Sequence, residues 1–326
     1  MECTACAHRC LVRPGRLGIC GVRENRDGRL VSLVYGGVVA AAVEPIEKKP
    51  FFHAFPGSLA FSIATSGCNF HCRFCQNWEI AQAHREGIHP RVTPLPPATI
   101  VSRAVAMGAR SVAYTYVEPT VFVEYVVDTA GLARDAGLAN LLVTNGYQTP
   151  EALDVLGPLT DAANVDLKGF SDRFYRRVCG ARLAPVLDAL IGMRQRGIWV
   201  EVTTLLVPGM NDEPAELRAL AKWLVDELGA ETPWHVSRFF PAYRMADLRP
   251  TPSATIARAV EIGRAAGLQH VYSGNLGTAG DDDTSCAGCG RVLIRRRGFG
   301  VVANELVGGA CPACIRPLAG IGLTPA

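Results

Sequence analysis

Three cysteines that lie close together in the chain could hold a metal centre with an incomplete set of protein ligands. The segment GCNFHCRFCQN contains Cys68, Cys72 and Cys75 in a C-x3-C-x2-C spacing. Three thiolates on one loop can bind three irons of a cube-shaped iron–sulfur cluster, whose iron favours soft sulfur ligands. No fourth cysteine is close in sequence, so one metal position would stay open, as in sites that bind a substrate. A zinc knuckle with His71 or His53 as the fourth ligand is the structural alternative.

Two further groups of cysteines lie near the ends of the chain and indicate additional metal sites. The C-terminal group has the C-x2-C-x21-C-x2-C spacing of a zinc ribbon and consists of Cys286, Cys289, Cys311 and Cys314. The N-terminal group has a C-x2-C-x3-C-x9-C spacing and consists of Cys3, Cys6, Cys10 and Cys20. For this group a second structural zinc is the preferred interpretation, and an auxiliary [4Fe–4S] cluster is the alternative. Cys179 is isolated, and an isolated cysteine is most often a small buried apolar residue.

Short apolar runs alternate with helical patterns between residues 60 and 275, and these are the elements that must position the cysteines. The candidate strands are Ala60–Thr65, Ser111–Val117, Ala139–Thr144, Ala162–Leu167, Ile198–Val207, Trp234–Phe239 and His270–Tyr272. The candidate helices include Ala98–Met107, Val121–Ala136, Ala184–Gln195, Glu213–Leu228 and Ala254–Ala266. Consecutive βα units predict an α/β domain with a parallel sheet, either doubly wound or bent into a full or partial barrel.

Polar side chains follow the candidate strands at the points where the strands end. They are Cys68 after the first strand, Glu118 after the second, Thr144 and Asn145 after the third, and Asp166 and Lys168 at the fourth. Ligands of parallel α/β proteins bind at the carboxyl ends of the strands. The sequence therefore predicts that these residues share one site.

Composition limits the classes of protein to which the chain could belong. It has 326 residues, 49% of them apolar, and a net charge of +3, which excludes global disorder. The longest apolar stretch, Leu30 to Val43, is shorter than the ~20 residues of a membrane span, and the first residues contain no secretory apolar region. We therefore expect a cytoplasmic protein without a membrane partner. Eleven of its twelve cysteines fall into the three groups, and we expect them to serve metal binding or catalysis rather than form disulfides.

The cysteine segment resembles the signature of the radical S-adenosylmethionine (SAM) superfamily, in which an aromatic residue, here Phe74, precedes the third cysteine. The body of the chain resembles the pyruvate formate-lyase activating enzyme branch and, within it, the radical enzyme of the AmmeMemoRadiSam set. The segments that carry this resemblance are PIEKKPFFHAFPG at 45–57, CNFHCRFCQNWEIAQ at 68–82, YTYVEPT at 114–120, VTNG at 143–146, VDLKGF at 165–170, PGMND at 208–212 and PWHVSRFFP at 233–241.

The resemblance implies a fold and a division of the chain. The fold is a partial or full parallel (β/α) barrel of the radical SAM type with small metal-binding extensions. We expect an N-terminal cysteine-rich extension at residues 1–55, a barrel core at 56–276 and a zinc-ribbon-like module at 277–326. The polar, acidic stretch GTAGDDDTS at 277–285 is the expected linker.

The resemblance also implies roles for individual residues. Cys68, Cys72 and Cys75 would ligate a [4Fe–4S] cluster whose open iron takes the methionine part of SAM. Glu118 stands where family members have the glutamate of a G-G-E stretch, which binds the methionine ammonium, but Tyr116 and Val117 replace the two glycines. The other implied cofactor-binding residues are Phe74, Thr144, Asn145, Asp166, Lys168, Thr204 and His235.

The implied function is reductive cleavage of SAM to a 5′-deoxyadenosyl radical, which abstracts hydrogen from an unknown substrate. A flavodoxin- or ferredoxin-like one-electron donor is the implied partner, and a glycyl residue of a partner protein is one candidate substrate. The alternatives are an iron–sulfur electron carrier or redox sensor, an RNA-modifying radical SAM enzyme and a zinc-dependent nucleic-acid-binding module. The run of three arginines at 295–297 beside Phe299 could contact RNA, but a solvated ribbon tip is the preferred interpretation.

Overall fold

The computed structural model describes residues 1–276 and 282–324 of the chain. The strands are β1 (Arg23–Arg26), β2 (Arg29–Ser32), β3 (Gly37–Val38), β4 (Ala40–Pro45), β5 (Leu59–Ala64), β6 (Thr93–Pro94), β7 (Ser111–Tyr114), β8 (Ala139–Thr144), β9 (Ala162–Asp166), β10 (Trp199–Leu206), β11 (Trp234–Arg238), β12 (Val271–Gly274), β13 (Thr284–Ser285), β14 (Val292–Arg297) and β15 (Gly300–Asn304). The helices are α1 (Trp78–Ala81), α2 (Ala83–Glu86), α3 (Pro97–Ala106), α4 (Val123–Asp135), α5 (Pro150–Leu156), α6 (Asp172–Phe174), α7 (Ala184–Gln195), α8 (Pro214–Trp223) and α9 (Ser253–Ala265).

One mostly parallel sheet organises the chain. Among the described residues its eight strands pair in the order β12-β11-β10-β9-β8-β7-β5-β4. In this sheet β5 and the strands from β7 to β12 run parallel to one another, and β4 pairs antiparallel with β5 at one edge. Each new parallel strand is added on the same side of the previous one, so right-handed crossovers place the helices on one face. This strand order is that of a curled β/α sheet, because a doubly wound sheet reverses its direction of growth. Within the described residues β12 and β4 do not pair, so the barrel is partial.

The predicted parallel strands are confirmed with small differences at their ends. The largest difference concerns β7, which was expected to reach Val117 and ends at Tyr114 because the chain turns at Tyr116, where φ is +64°. The elements that were not predicted include β4 and α5. The strand β4 is rich in alanine and lacks the β-branched pattern of the other strands, and α5 is a short helix capped by the Thr149 side chain.

The N-terminal extension packs onto the carboxyl ends of the parallel strands. Cys6 forms an isolated bridge with Gln148, and the Ala7 amide donates to the Tyr147 carbonyl at 3.0 Å. Both partners belong to the loop that follows β8. The extension also supplies β4 to the main sheet. The contacts of Cys6 and Ala7 place the cysteine-rich segment at the edge of the barrel where ligands of this fold bind.

The C-terminal module contains a three-stranded antiparallel sheet, in the order β13-β14-β15. Within the predicted linker, residues 277–281 lie outside the described residues, and Thr284–Ser285 form β13. Arg296 of β14 has a fully buried side chain that lies over the Phe52 ring, in the segment before β5. The module therefore packs against the opposite end of the barrel from the cysteine loop, where β10 begins near Glu201.

No helix in the described part of the chain is long and apolar enough to cross a membrane.

Candidate active site and metal centres

The loop that carries Cys68, Cys72 and Cys75 leaves the end of β5 through a glycine that no larger residue could replace without a shift. Gly67 has a φ of +94°, and a Cβ atom there would come within 2.5 Å of Val22 Cγ1. Glycine is required here because the N-terminal extension approaches closely and the backbone is left-handed.

Hydrogen bonds hold the cysteine loop against the π-helix Tyr175–Cys179, which follows α6. The His71 amide donates to the Cys179 carbonyl at 3.0 Å, and the Arg73 amide donates to the Val178 carbonyl at 3.0 Å. The Gln82 side chain donates to the Phe70 carbonyl at 2.8 Å. These bonds fix the loop backbone on both sides of Cys72, so its thiols are positioned before any ligand binds.

The three cysteines open onto a cavity of about 290 Å³ at the carboxyl ends of the parallel strands. This is the site that the sequence predicted from residues following successive strands. The predicted residues that line the cavity are Cys68, Cys72, Phe74, Cys75, Glu118, Thr144, Asn145, Asp166 and Lys168. The two histidines considered as alternative zinc ligands, His71 and His53, are not among its lining residues.

The Glu118 carboxylate is buried and held by donors from two loops. It accepts hydrogen bonds from the Thr120 amide at 3.1 Å, from the Thr144 hydroxyl at 2.9 Å and from the Asn145 amide at 2.8 Å. The Thr120 hydroxyl is also a partner. Burial raises the pKa of Glu118, and these donors oppose the shift. The backbone of Glu118 is extended before Pro119, and Glu118 lines the cavity.

Thr144 and Asn145 hydrogen-bond to Glu118, and Asn145 also hydrogen-bonds to the cysteine loop. Besides their bonds to Glu118, the Asn145 side chain donates to Asn69 Oδ1 at 2.7 Å and lies 4.0 Å from Cys68 Sγ. In this arrangement the two residues orient the glutamate and connect it to the cysteine loop.

Tyr116, which the resemblance aligns with the first glycine of the G-G-E stretch, adopts a glycine-like backbone. Its φ of +64° is unusual for a bulky residue and costs roughly 1–2 kcal/mol. The Tyr116 hydroxyl donates to Glu44 at 2.5 Å, its carbonyl accepts from Asn77 at 2.9 Å, and the Lys49 ammonium lies 4.9 Å from its ring centre. These contacts hold Tyr116 in this left-handed conformation.

Glu44, Lys48, Lys49 and Tyr116 line the cavity but were not predicted as site residues. Glu44 forms ion pairs with both lysines. Burial raises its pKa, but hydrogen bonds from Lys48, Lys49 and Tyr116 outweigh burial and lower the pKa to about 2. The segment PIEKKPFF contains two of these residues, yet only the pairing of β4 with β5 brings them to the cavity.

Asp166 and Lys168 form an ion pair of 2.7 Å at the end of β9. Burial opposes the charge on Lys168, but Asp166 and the nearby Cys72 raise the pKa of its ammonium. The Lys168 ammonium also lies 5.9 Å from the ring centre of Phe74. A fixed cation at the cavity wall can hold a carboxylate of a bound ligand.

Thr204 and His235 do not line the cavity, which departs from the positions that the resemblance implied. On β10, Leu205 faces the cavity, so its neighbour Thr204 points to the helix side, where its hydroxyl accepts from Trp234 at 3.0 Å. His235 lies deeper in the barrel and forms a buried hydrogen bond of 2.7 Å with Glu201. Both side chains are already paired within the protein.

The three loop cysteines have raised pKa values. Burial raises the pKa of Cys75 to about 12 and that of Cys68 well above its ordinary value, and the adjacent Cys179 thiol together with burial does the same for Cys72. Without a metal such thiols stay protonated at neutral pH. A bound metal supplies the positive charge that stabilises the thiolate form. Three soft donors on one loop beside a cavity fit the ligand set of an iron–sulfur cube in which one iron would have no protein ligand from the loop.

The C-terminal cysteines are arranged as a closed metal site. Their four sulfur atoms lie within 4.8 Å of one another. The Cys286–Cys314 and Cys289–Cys311 sulfur distances are 3.5 Å and 3.7 Å, close to the ~3.8 Å edge of a tetrahedron with zinc–sulfur bonds of ~2.3 Å. These residues could hold one metal ion.

The N-terminal cysteines also come together, with their side chains lining one small cavity beside the cysteine loop. His8 lines the same cavity, but its Nε2 atom hydrogen-bonds to the Asn69 carbonyl at 2.9 Å.

Comparison with known proteins identifies relatives of this architecture. The family model described as "Radical SAM superfamily" matches residues 62–221. A Methanocaldococcus jannaschii protein named "Uncharacterized protein MJ0808" is 42% identical over 296 residues, which cover 91% of this chain and 87% of the relative. The GTP 3′,8-cyclase of Aeromonas hydrophila is 27% identical over 202 residues, covering 59% of this chain and 55% of the cyclase. The structure of Streptococcus suis SuiB bound to the precursor peptide SuiA superposes with a TM-score of 0.53 at 13% identity, covering 72% of this chain and 52% of SuiB, and thus shares the fold.

Proposed function

Because the chain belongs to the radical SAM superfamily, we propose that it is an enzyme that holds a [4Fe–4S] cluster at Cys68, Cys72 and Cys75 and binds SAM in the adjoining cavity. With both groups bound, the pair supplies reductive cleavage of SAM to a 5′-deoxyadenosyl radical, which removes a hydrogen atom from the substrate. The observation that carries this proposal is the single cavity that joins the three cysteines to the buried Glu118 carboxylate.

The side chains that line the cavity bind SAM and orient it. Glu118 pairs with the ammonium of the methionine moiety, and its orientation is set before binding by Thr120, Thr144 and Asn145. Lys168 provides the complementary cation for the carboxylate, while Asp166 holds the lysine in place. Phe74 is buried at the cavity wall and excludes water from the reacting groups.

The C-terminal cysteines hold a structural zinc. Their four thiols leave no open position, and the sulfur distances match a tetrahedral site. The metal stabilises a module that is too small to build a large apolar core and that closes the far end of the barrel through Arg296.

The substrate is a peptide or protein, and the chain belongs to the activating-enzyme-like branch, in the AmmeMemoRadiSam set. The sequence resemblance supports the branch. The substrate class is supported by SuiB, a protein of the same fold whose structure is bound to the precursor peptide SuiA. A flavodoxin- or ferredoxin-like protein supplies the electron. Arg296, the central residue of the basic run, is buried in the protein, which disfavours an RNA-binding role for that run.

Anaerobic reconstitution with iron and sulfide, followed by dithionite and SAM, tests the proposal. We expect 5′-deoxyadenosine from the wild-type protein and none from the Cys72→Ala variant. The Cys179→Ala variant is the matched control, because Cys179 is a buried cysteine outside the lining of the cavity. Intact SAM in the presence of a reduced, fully loaded cluster would contradict the proposal and favour an electron carrier.

A further inference from the structure

The N-terminal cysteines surround a space rather than touch one another in pairs. Cys3, Cys6, Cys10 and Cys20 all line the same small cavity, whose other wall includes Asn69 of the cysteine loop. Cys3 and Cys20 are buried, and the other two are half-buried. The four thiols therefore face a common interior position from which most water is excluded.

This arrangement differs from that of the C-terminal cysteines, whose sulfur atoms lie at 3.5 and 3.7 Å in two pairs. A single zinc ion needs that compact spacing, because all four sulfur atoms bind the same atom. In a [4Fe–4S] cluster each thiolate binds a different iron, so the ligands stand around a larger inorganic core. Within the described residues the compact spacing is found in the C-terminal group and not in the N-terminal one.

Asn69 places a buried hydrogen-bond donor between the two cysteine sites. Its Oδ1 atom accepts from Asn145 at 2.7 Å, next to Cys68. Its Nδ2 atom is buried and has no acceptor in the described part of the chain. Asn69 and Cys6 line the same small cavity. A buried amide without an acceptor is costly, and a cluster-bound sulfur at Cys6 would supply the acceptor.

His8 is the alternative fourth ligand for this site, and its geometry argues against that role. Its Nε2 atom is engaged with the Asn69 carbonyl at 2.9 Å, and its ring packs against Tyr147 with centres 4.8 Å apart. The imidazole thus links the N-terminal extension to the cysteine loop, and the four cysteines remain as the donor set.

We propose that Cys3, Cys6, Cys10 and Cys20 hold a second [4Fe–4S] cluster, which passes single electrons towards the site at Cys68, Cys72 and Cys75. The electron-transfer role rests on the proposed function, whereas the cluster itself does not. Four thiolates occupy all four irons, so this cluster cannot bind a substrate and serves electron exchange. An external one-electron donor is oxidised, the N-terminal cluster is reduced and then reoxidised, and no bond forms or breaks at it. Asn69 connects the two sites through its side chain and through its peptide bond to Cys68.

Metal counting tests the cluster independently of catalysis. A Cys68→Ala/Cys72→Ala/Cys75→Ala variant removes the loop ligands and, after anaerobic reconstitution, should retain about four iron atoms per chain. After reduction it should show a [4Fe–4S] electron paramagnetic resonance signal that SAM does not change. Zinc in place of that iron, or no metal at these residues, would overturn the proposal. The wild-type protein should contain about eight iron atoms and one zinc ion.

A Cys6→Ser/Cys10→Ser variant tests the electron-transfer role. With reduced flavodoxin as the donor, 5′-deoxyadenosine formation should fall about tenfold or more, whereas with dithionite it should stay within about twofold of wild type. Equal rates with flavodoxin would refute the transfer role. If this variant does not fold, the iron content and spectrum of the triple variant decide whether the cluster exists. The two proposals can fail separately. If the triple variant keeps the N-terminal cluster but the wild-type protein does not cleave SAM, the proposed function is refuted and the second cluster is not.

Discussion

The Arg296 guanidinium lies 4.3 Å from the centre of the Phe52 ring and donates a hydrogen bond of 2.8 Å to the Phe52 carbonyl. The same guanidinium donates to the Thr284 hydroxyl at 2.8 Å and faces Glu47 at 3.8 Å. A residue of the C-terminal module thus fills the end of the barrel opposite the candidate active site. Through this interaction the C-terminal module and the barrel share a buried contact.

Replacing Arg296 should destabilise the whole protein. Arg296→Met leaves the buried Glu47 carboxylate without its nearest cation, which should lower the free energy of unfolding by about 3 kcal/mol or more. Arg295→Met is the matched control, because Arg295 is half-exposed and only 4.0 Å from Glu305, so its effect should be within about 0.5 kcal/mol. Thermal or denaturant unfolding measures both. Equal effects of the two substitutions would contradict the buried role of Arg296.

Glu118→Gln should weaken SAM binding without loss of the cluster. The amide keeps the shape of the side chain but lacks the charge that pairs with an ammonium, so the SAM affinity should fall about tenfold or more. Iron content should equal that of wild type. Calorimetry or the SAM-dependent change in the cluster spectrum measures the loss. Unchanged affinity would place the ammonium elsewhere in the cavity.

The pH dependence of SAM binding should report the same carboxylate. Burial raises the pKa of Glu118, and only its ionised form pairs with the ammonium. The affinity for SAM should therefore reach its full value above this raised pKa and decline as the pH falls through it. The decline should occur at a higher pH than for an ordinary glutamate of pKa ~4.3. The Glu118→Gln variant should lack this decline. A decline that persists in the variant would assign the titration to another group.

Glu44 should stabilise the cavity wall in a pH-dependent manner. Its pKa in the folded protein is lowered to about 2, so the stabilisation is complete above its unfolded value of ~4.3 and is lost as the pH falls towards 2. At pH 7 Glu44→Gln should lower the free energy of unfolding by about 1–2 kcal/mol. The loss is modest because water screens these partly exposed ion pairs. The difference from wild type should shrink by about half between pH 5 and pH 3. Glu79→Gln, at an exposed position of α1, is the control and should show no such trend.

The sequence was sufficient to predict the parallel strands and most of the cavity. Those strands are apolar runs buried on both faces, and the residues at their carboxyl ends share one edge whatever the curvature of the sheet. Glu118, Asn145 and Lys168 could therefore be placed together without knowledge of the crossovers.

The errors and omissions have a different physical origin. Thr204 and Leu205 are adjacent on β10, and a shift of one residue exchanges the two faces of a strand, which composition alone does not resolve. Glu44 reaches the cavity only because β4 pairs antiparallel with β5, and this contact depends on long-range pairing of an alanine-rich segment. Arg296 looked like a surface residue because arginine is rarely buried unless it is paired.

The proposed zinc site can be tested at its two exposed cysteines, Cys289 and Cys314. Cys289 and Cys314 are exposed, so their replacement creates no cavity, and any loss of stability reflects the metal. Cys289→Ala should lose about one zinc ion per chain and unfold at a lower temperature, while the iron content stays the same. Unchanged zinc content and unfolding temperature would contradict a structural zinc site.

Cys179 provides the strictest test of the open position on the loop cluster. Its buried thiol lies beside Cys72 and is, with burial, a cause of the raised pKa of Cys72, so it is the nearest candidate for an additional protein ligand. If Cys179 does not bind iron, Cys179→Ala should keep about four irons at the loop and the full SAM-dependent change in the cluster spectrum. Its cost should be the modest destabilisation of a small cavity, about 1 kcal/mol. If the cluster in Cys179→Ala instead changes its spectrum before SAM is added, the fourth vertex is occupied by a thiolate, and a reaction that needs SAM at that iron is excluded.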